Sequence, residues 1–200
     1  MEIRKYFEVV KGLIDVIPFD DVEKMTDAVY KAYVDEKMIF LIGNGGSAAK
    51  ASHVAQDFSK GLILDQNITK RVKALSLTDN IPYITALAND TGYKNIFSSQ
   101  LRTFANEGDY LLAISGSGNS ENIVAAAEFA KENNMTVIGV TGYGGGRLKE
   151  LSDISVNVQI NDMCMAESFH SLIFHFVVSS LRKRITGEEF EINDQLYSYE

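Results

Sequence analysis

Met38-Ile39-Phe40-Leu41-Ile42-Gly43-Asn44-Gly45-Gly46-Ser47 decides the fold. A continuous apolar run closes in a Gly/Asn/Ser cluster and leads into Ala48–Ser59, whose pattern is helical. A run that is apolar at every position, rather than at alternate ones, fits a parallel strand buried on both faces. The same order returns at Leu112-Ala-Ile-Ser-Gly-Ser-Gly-Asn-Ser120, followed by the helical Glu121–Asn133. Further apolar runs stand at Ala74–Leu77, Tyr110–Ile114, Thr136–Val140 and Ile154–Val158. Helical patterns lie between them at Ile81–Ala88 and Arg147–Leu151, and a long closing helix is predicted from about Met163 to Arg184. Strand and helix alternate. The fold class is therefore α/β, a parallel sheet covered by helices on both sides in a three-layer αβα sandwich.

Residues 1–36 lie outside this alternation. Ile3, Phe7, Val10, Leu13 and Ile14 recur at helical spacing, and Pro18 is expected to end that helix. Asp20 or Asp21 is expected to cap a second helix carrying Val22, Met25, Val29 and Tyr33. Two amphipathic helices outside the sheet pattern need a surface to pack on. The stretch 186–200 is polar and reads as a loose tail. No low-complexity linker divides the 200 residues, so they read as one domain.

Composition narrows the function. With 46% hydrophobic and 23% charged residues, the chain can bury a real core. A net charge of -8 and a pI near 4.9 argue against binding nucleic acid or an anionic membrane surface. They leave room for one phosphorylated small molecule, which a few backbone N–H groups can hold. The single cysteine, Cys164, excludes an intramolecular disulfide and points to a reducing cytoplasm. Met1–Lys11 is charged and amphipathic, unlike a cleavable signal, and no apolar run is read as reaching the ~20 residues of a membrane span.

The two glycine-serine loops carry the first chemical hint. Each follows a strand and opens a helix, so free N–H groups and the positive end of the helix dipole face one point. Serine hydroxyls add donors. Such loops also occur as plain connectors, but two of them, the second with Ser115, Ser117 and Ser120, favour an anion site. Neither is a nucleotide fingerprint. Ala48 stands where the third glycine of a dinucleotide loop belongs, and neither loop ends in the Lys-Ser/Thr of a P-loop. A sugar phosphate is the better ligand, with no nucleotide or redox cofactor. Gly142-Tyr-Gly-Gly-Gly-Arg147 reads as a flexible connector.

The histidines carry the second hint. His53 and Asp57 stand at i and i+4 on one helix face. Glu167 and His175 are eight residues apart on the closing helix, about 80° apart around its axis. Two imidazoles and two carboxylates are ligand types for a divalent ion such as Zn²⁺. The same residues can transfer protons without any metal. His170, flanked by Phe169 and Leu172, reads as structural or as support for its neighbours.

Taken in order, Gly43–Ser47 with His53 and Asp57, Ala86–Tyr93, Ile114–Ser120, Gly139–Gly142, and Glu167 with His175 resemble the sedoheptulose 7-phosphate isomerase (phosphoheptose isomerase) family of the sugar isomerase (SIS) fold. The resemblance runs to about Leu181. It implies an aldose–ketose isomerase that converts sedoheptulose 7-phosphate to D-glycero-D-manno-heptose 7-phosphate through an enediol and supplies heptose for surface polysaccharide. By the same resemblance, Asn44, Gly45, Gly46, Asn89 and Asp90 contact the substrate, and Ser115, Gly116, Ser117 and Ser120 hold its phosphate. His53, Asp57, Glu167 and His175 fall on metal positions, and Asp57 and His175 on the proton-transfer pair. Glu167 also falls among the substrate contacts. The resemblance implies a tetramer with sites at subunit boundaries. Three positions depart from the family's usual residues: Asp57 for Glu, Glu167 for Gln, and Gly116 for Thr. Two rival readings share the fold, a non-catalytic protein-binding tetramer and a sugar-phosphate sensor. The four ligand-capable side chains favour the enzyme.

Overall fold

The computed structural model describes residues 2–63 and 68–187. The expected tail at 186–200 lies outside the described residues from 188 onward. Five parallel strands form one sheet in the order β2-β1-β3-β4-β5. They are β1 (Met38–Gly43), β2 (Lys73–Ser76), β3 (Tyr110–Ser115), β4 (Thr136–Thr141) and β5 (Ile154–Asn157). Eight α-helices accompany them among the described residues: α1 (Ile3–Gly12), α2 (Phe19–Val34), α3 (Gly46–Gln56), α4 (Ile81–Thr91), α5 (Ser98–Phe104), α6 (Glu121–Glu132), α7 (Gly146–Leu151) and α8 (Met163–Thr186).

The continuous apolar runs serve two cores at once. Along β1, Ile39 and Leu41 face the core shared with α2, α3 and α8, where Met25, Val29, Val54, Phe169 and Phe174 lie buried. Phe40 and Ile42 face the opposite core with Ile96, Phe97, Leu101, Ile123 and Ala127. β3 repeats the division, with Leu112 and Ile114 on the first side and Leu111 and Ala113 on the second. The central strands β1 and β3 therefore meet apolar atoms on both faces, as a parallel sheet between two helical layers requires, while the edge strand β2 leaves Lys73 and Leu75 exposed. Truncating a fully buried side chain such as Phe169 to Ala would cost about 3–5 kcal/mol.

Strand order positions the site. The chain leaves β1 for β2 on one side, and β3 returns on the other side of β1. The loops that follow β1 and β3 thus open side by side at a topological switch point, where open α/β sheets bind ligands.

Several boundaries differ from the sequence reading. α1 ends at Gly12, and a short 3₁₀ turn, Ile14–Val16, intervenes before Pro18. Pro18 starts α2 rather than ending α1, and Asp20 and Asp21 sit in the first turn of α2 without capping it. There they complement the helix dipole. α5 and a 3₁₀ turn at Tyr93–Asn95 were not anticipated. α8 begins at an Asp162 side chain accepting from Met165 N at 2.8 Å, and Gly187 closes it with φ +75°. By length and composition α8 is apolar enough to cross a membrane, contrary to the sequence reading, yet it packs as a core helix with Phe169, Ile173, Phe174 and Val177 buried.

Candidate active site

The serine loop is built by backbone geometry. Gly118 adopts φ +67°, and a Cβ there would lie 1.9 Å from the Gly145 carbonyl oxygen, so only glycine fits. Ser115 Oγ accepts from Gly118 N at 3.1 Å. Ser120 starts α6, but its hydroxyl accepts no capping bond from the helix. The supposed connector Gly142–Arg147 braces this loop from behind. Gly142 N donates to Gly116 O at 2.9 Å, Leu148 N to Gly118 O at 2.9 Å, and Arg147 N to Asn119 Oδ1 at 3.0 Å. Its sequence signal, three consecutive glycines after a strand, marked a close backbone approach rather than flexibility.

A cavity of about 180 Å³ opens between this loop and the start of α3. Ser115, Gly116, Ser117 and Ser120 line one side, Asn44 and Ser47 another, and Met163 and Glu167 of α8 a third. Asn44 exchanges amide hydrogen bonds with the buried Asn122 at 2.8 and 2.9 Å, and its Oδ1 also accepts from Tyr93 Oη at 3.0 Å. Gly45, in the left-handed region at φ +54°, turns the chain into α3. The Glu167 carboxylate would stand 3.0 Å from a Cβ on Gly46, so a side chain there would displace it. Likewise a Cβ on Gly116 would meet Met163 Sδ at 2.3 Å. Asn89 and Asp90 are exposed on the last turn of α4, joined by a 2.8 Å hydrogen bond, and do not line this cavity.

His53, Asp57 and His175 form a second cluster, in which one ligand atom from each lies within 4.8 Å of the others. His53 Nε2 is 3.3 Å from Asp57 Oδ2, and the two imidazole centroids are 5.6 Å apart. Asp57 begins a wide π turn, Asp57–Gly61, that ends α3. The donor set of two imidazoles and a carboxylate fits a divalent ion with positions left for a ligand. Glu167, expected beside them, is not in this group. Eight residues of helix carry it about 12 Å along α8 from His175, and it lines the cavity beside the serine loop instead.

His170 stands apart from both clusters. It is fully buried and its Nε2 donates to Thr141 O at 3.0 Å. Burial pushes its pKa down to about 4, so the ring is neutral. The sequence reading missed Lys50, Met163, Asn122 and Tyr93. Each gains its role only from long-range contact; Tyr93 closes the stretch Ala86–Tyr93, but nothing local marks its hydroxyl as a partner of Asn44.

Residues 5–142 match the model of the SIS domain. A phosphoheptose isomerase of Clostridium acetobutylicum is 38% identical over 172 residues, covering 86% of each chain. The chain belongs to the phosphoheptose isomerase family of SIS domain proteins. Solved members of that family share its architecture. The phosphoheptose isomerase of Francisella tularensis superposes with a TM-score of 0.83 at 29% identity, covering 90% of this chain and 96% of that one. The Neisseria gonorrhoeae enzyme gives 0.75 at 30% identity, covering 90% and 91%. In this phosphoheptose isomerase family member, the cavity beside the serine loop and the His/Asp/His cluster both draw residues from α3 or its end and from α8.

Proposed function

We propose that the chain interconverts sedoheptulose 7-phosphate and D-glycero-D-manno-heptose 7-phosphate. The observation that carries the reading is the mounting of two clusters on α3 and α8. Ser47 and Glu167 line the anion cavity, and His53, Asp57 and His175 gather about two turns further along the same helices. A phosphate and the reacting carbons stand at opposite ends of one heptulose, so the two clusters suit its two ends.

In this reading Ser115, Ser117, Ser120 and the Gly116 backbone hold the phosphate, while Asn44, Gly45 and Gly46 orient the sugar. Asn89 and Asp90 act at the rim. Asp57 removes the proton from C1, and the electron pair becomes the C1–C2 double bond of an enediol as His175 protonates the C2 oxygen. Return of a proton to C2, with loss of the O1 proton, leaves the aldehyde. The reaction is internally balanced and needs no redox cofactor. His53, Asp57 and His175 would hold a divalent ion, for which we favour zinc, and when bound it would polarise the carbonyl and hydroxyl oxygens.

We also read the chain as a cytoplasmic homo-oligomer, a tetramer. Ile3 and Phe7 of α1, Phe19 of α2, and Leu172 and Phe176 of α8 are exposed, which supports a partner surface. Light scattering should then report about four times the 22.1 kDa chain mass, and a monomer would remove this part. Incubation with sedoheptulose 7-phosphate, followed by NMR for the aldose anomeric signals, tests the activity itself. Tight binding without turnover would make the chain a sensor; neither binding nor turnover would make it a non-catalytic SIS protein.

A further inference from the structure

The anion cavity has a charge problem. Glu167 presents a carboxylate to the same space of about 180 Å³ that the serine loop offers to a phosphate. Like charges so close disfavour each other. The loop itself supplies hydroxyls and N–H groups but no cation. Of the other ionisable groups along these helices, His53, Asp57 and His175 belong to the second cluster, His170 is buried against β4, Cys164 is exposed, and Arg182, Lys183 and Arg184 lie in the last turns of α8, beyond His175.

One cation stands directly behind Glu167. Lys50, on α3, is half-buried, and its Nζ donates to the Glu167 main-chain oxygen at 2.7 Å and to Ser171 Oγ. Among the described residues, no carboxylate lies within ion-pair distance of it. Burial lowers the Lys50 pKa, and the Glu167 charge pulls the other way. A brace between α3 and α8 needs no charge. Glutamine or methionine at position 50 would span the same gap without the cost of desolvating an ammonium.

We propose that Lys50 is a positioning residue whose charge lets the Glu167 carboxylate and a bound phosphate share one cavity. Resting on the sugar-phosphate reading above, this adds a residue to the binding end of the site. The ammonium holds Glu167 against the start of α3 and offsets its charge, so the serine loop meets the phosphate without a net repulsive neighbour. Lys50 does not line the cavity, so it acts through Glu167 and not by touching substrate.

The test is a charge cycle read by calorimetric titration with inorganic phosphate, beside kcat and KM for sedoheptulose 7-phosphate. Lys50→Gln should weaken phosphate binding about tenfold and raise KM to match, with kcat within about threefold of wild type. Adding Glu167→Gln to that variant should restore phosphate affinity to within about threefold of wild type, a rescue that loss of a brace cannot produce. Glu167→Gln alone should tighten phosphate binding by about threefold or more, which keeps the test decisive if Lys50→Gln does not fold. Unchanged affinity in Lys50→Gln, a double variant as weak as Lys50→Gln, or unchanged affinity in Glu167→Gln overturns the role of Lys50. A wild-type protein that neither binds phosphate nor turns over the sugar overturns the sugar-phosphate reading itself.

Discussion

Gly116 and Met163 share one volume: a Cβ on Gly116 would lie 2.3 Å from Met163 Sδ and 2.9 Å from its methyl. The loop that would hold the phosphate is therefore shaped by a thioether from the first turn of α8. A side chain at position 116 must evict it. Gly116→Thr should raise KM for sedoheptulose 7-phosphate about tenfold, and Met163→Ala in the same chain should recover most of that loss. Melting temperature should move little, because the obstacle is the far end of a flexible side chain. Equal KM values for wild type and Gly116→Thr would show that Met163 is not a wall of the site.

Ser117 carries an exposed hydroxyl of the serine loop, and its Oγ is engaged only weakly by Asn119 N at 3.3 Å. A hydrogen bond to a charged group contributes about 1.5–3 kcal/mol. Ser117→Ala should thus weaken substrate binding roughly tenfold or more. Calorimetric titration measures it directly, and wild-type affinity would take the serine loop out of the site.

Asp57 and His175 carry the proposed proton transfers. Asp57→Asn and His175→Ala should each lower kcat by roughly 10²–10⁴-fold while phosphate affinity stays near wild type. If the His/Asp/His cluster holds zinc, elemental analysis should find about one ion per chain in wild type. His175→Ala should lose that ion, and dialysis against EDTA should abolish activity until metal is returned. Full activity in either variant would end the acid/base assignment.

His170 is the residue whose burial should show in a stability–pH curve. Its folded pKa of about 4 lies below the ordinary 6.5. Between those values the unfolded chain binds the proton and the folded chain does not, so unfolding gains ground as pH falls. The contribution is complete above pH 6.5 and is lost on descending to about pH 4, by up to about 3 kcal/mol. Urea unfolding of wild type and His170→Gln at pH 7.5, 5.5 and 4.5 isolates it. The gap between the two should close as pH falls, and a constant gap would refute the neutral buried imidazole.

What the sequence could disclose follows from how local each signal is. β1 and β3 were legible because a strand buried on both faces writes a continuous apolar run. α5 was not, since Ser-Ser-Gln-Leu-Arg-Thr-Phe, Ser98–Phe104, is short and places only Leu101 and Phe104 as large apolar residues. The His53–Asp57 pair was visible as an i,i+4 spacing, and its meeting with His175 was expected from the family resemblance. Glu167 was drawn away from that meeting by helical rise, which spacing around the axis does not reveal. Lys50 and Met163 left no trace, because their significance depends on α3 and the serine loop approaching α8 from distant parts of the chain. The glycines after β4 were seen but misread, because a braced turn and a loose one have the same composition.

α8 works as a gauge. Met163, Glu167, Ser171 and His175 recur every fourth residue along it, a slowly winding stripe that runs from the proposed phosphate end to the proposed proton-transfer end. The separation of the two ends is written in backbone hydrogen bonds, at about 1.5 Å per residue, and in no side chain. Substitutions can therefore change what either end grips but not the length being measured. Altering that length takes insertion or deletion, and these act in steps. One residue swings the far half by about 100° and carries His175 away from His53 and Asp57. Four residues nearly restore the facing after adding about 6 Å. A lineage adapting this scaffold to a longer or shorter sugar would meet a staircase rather than a slope.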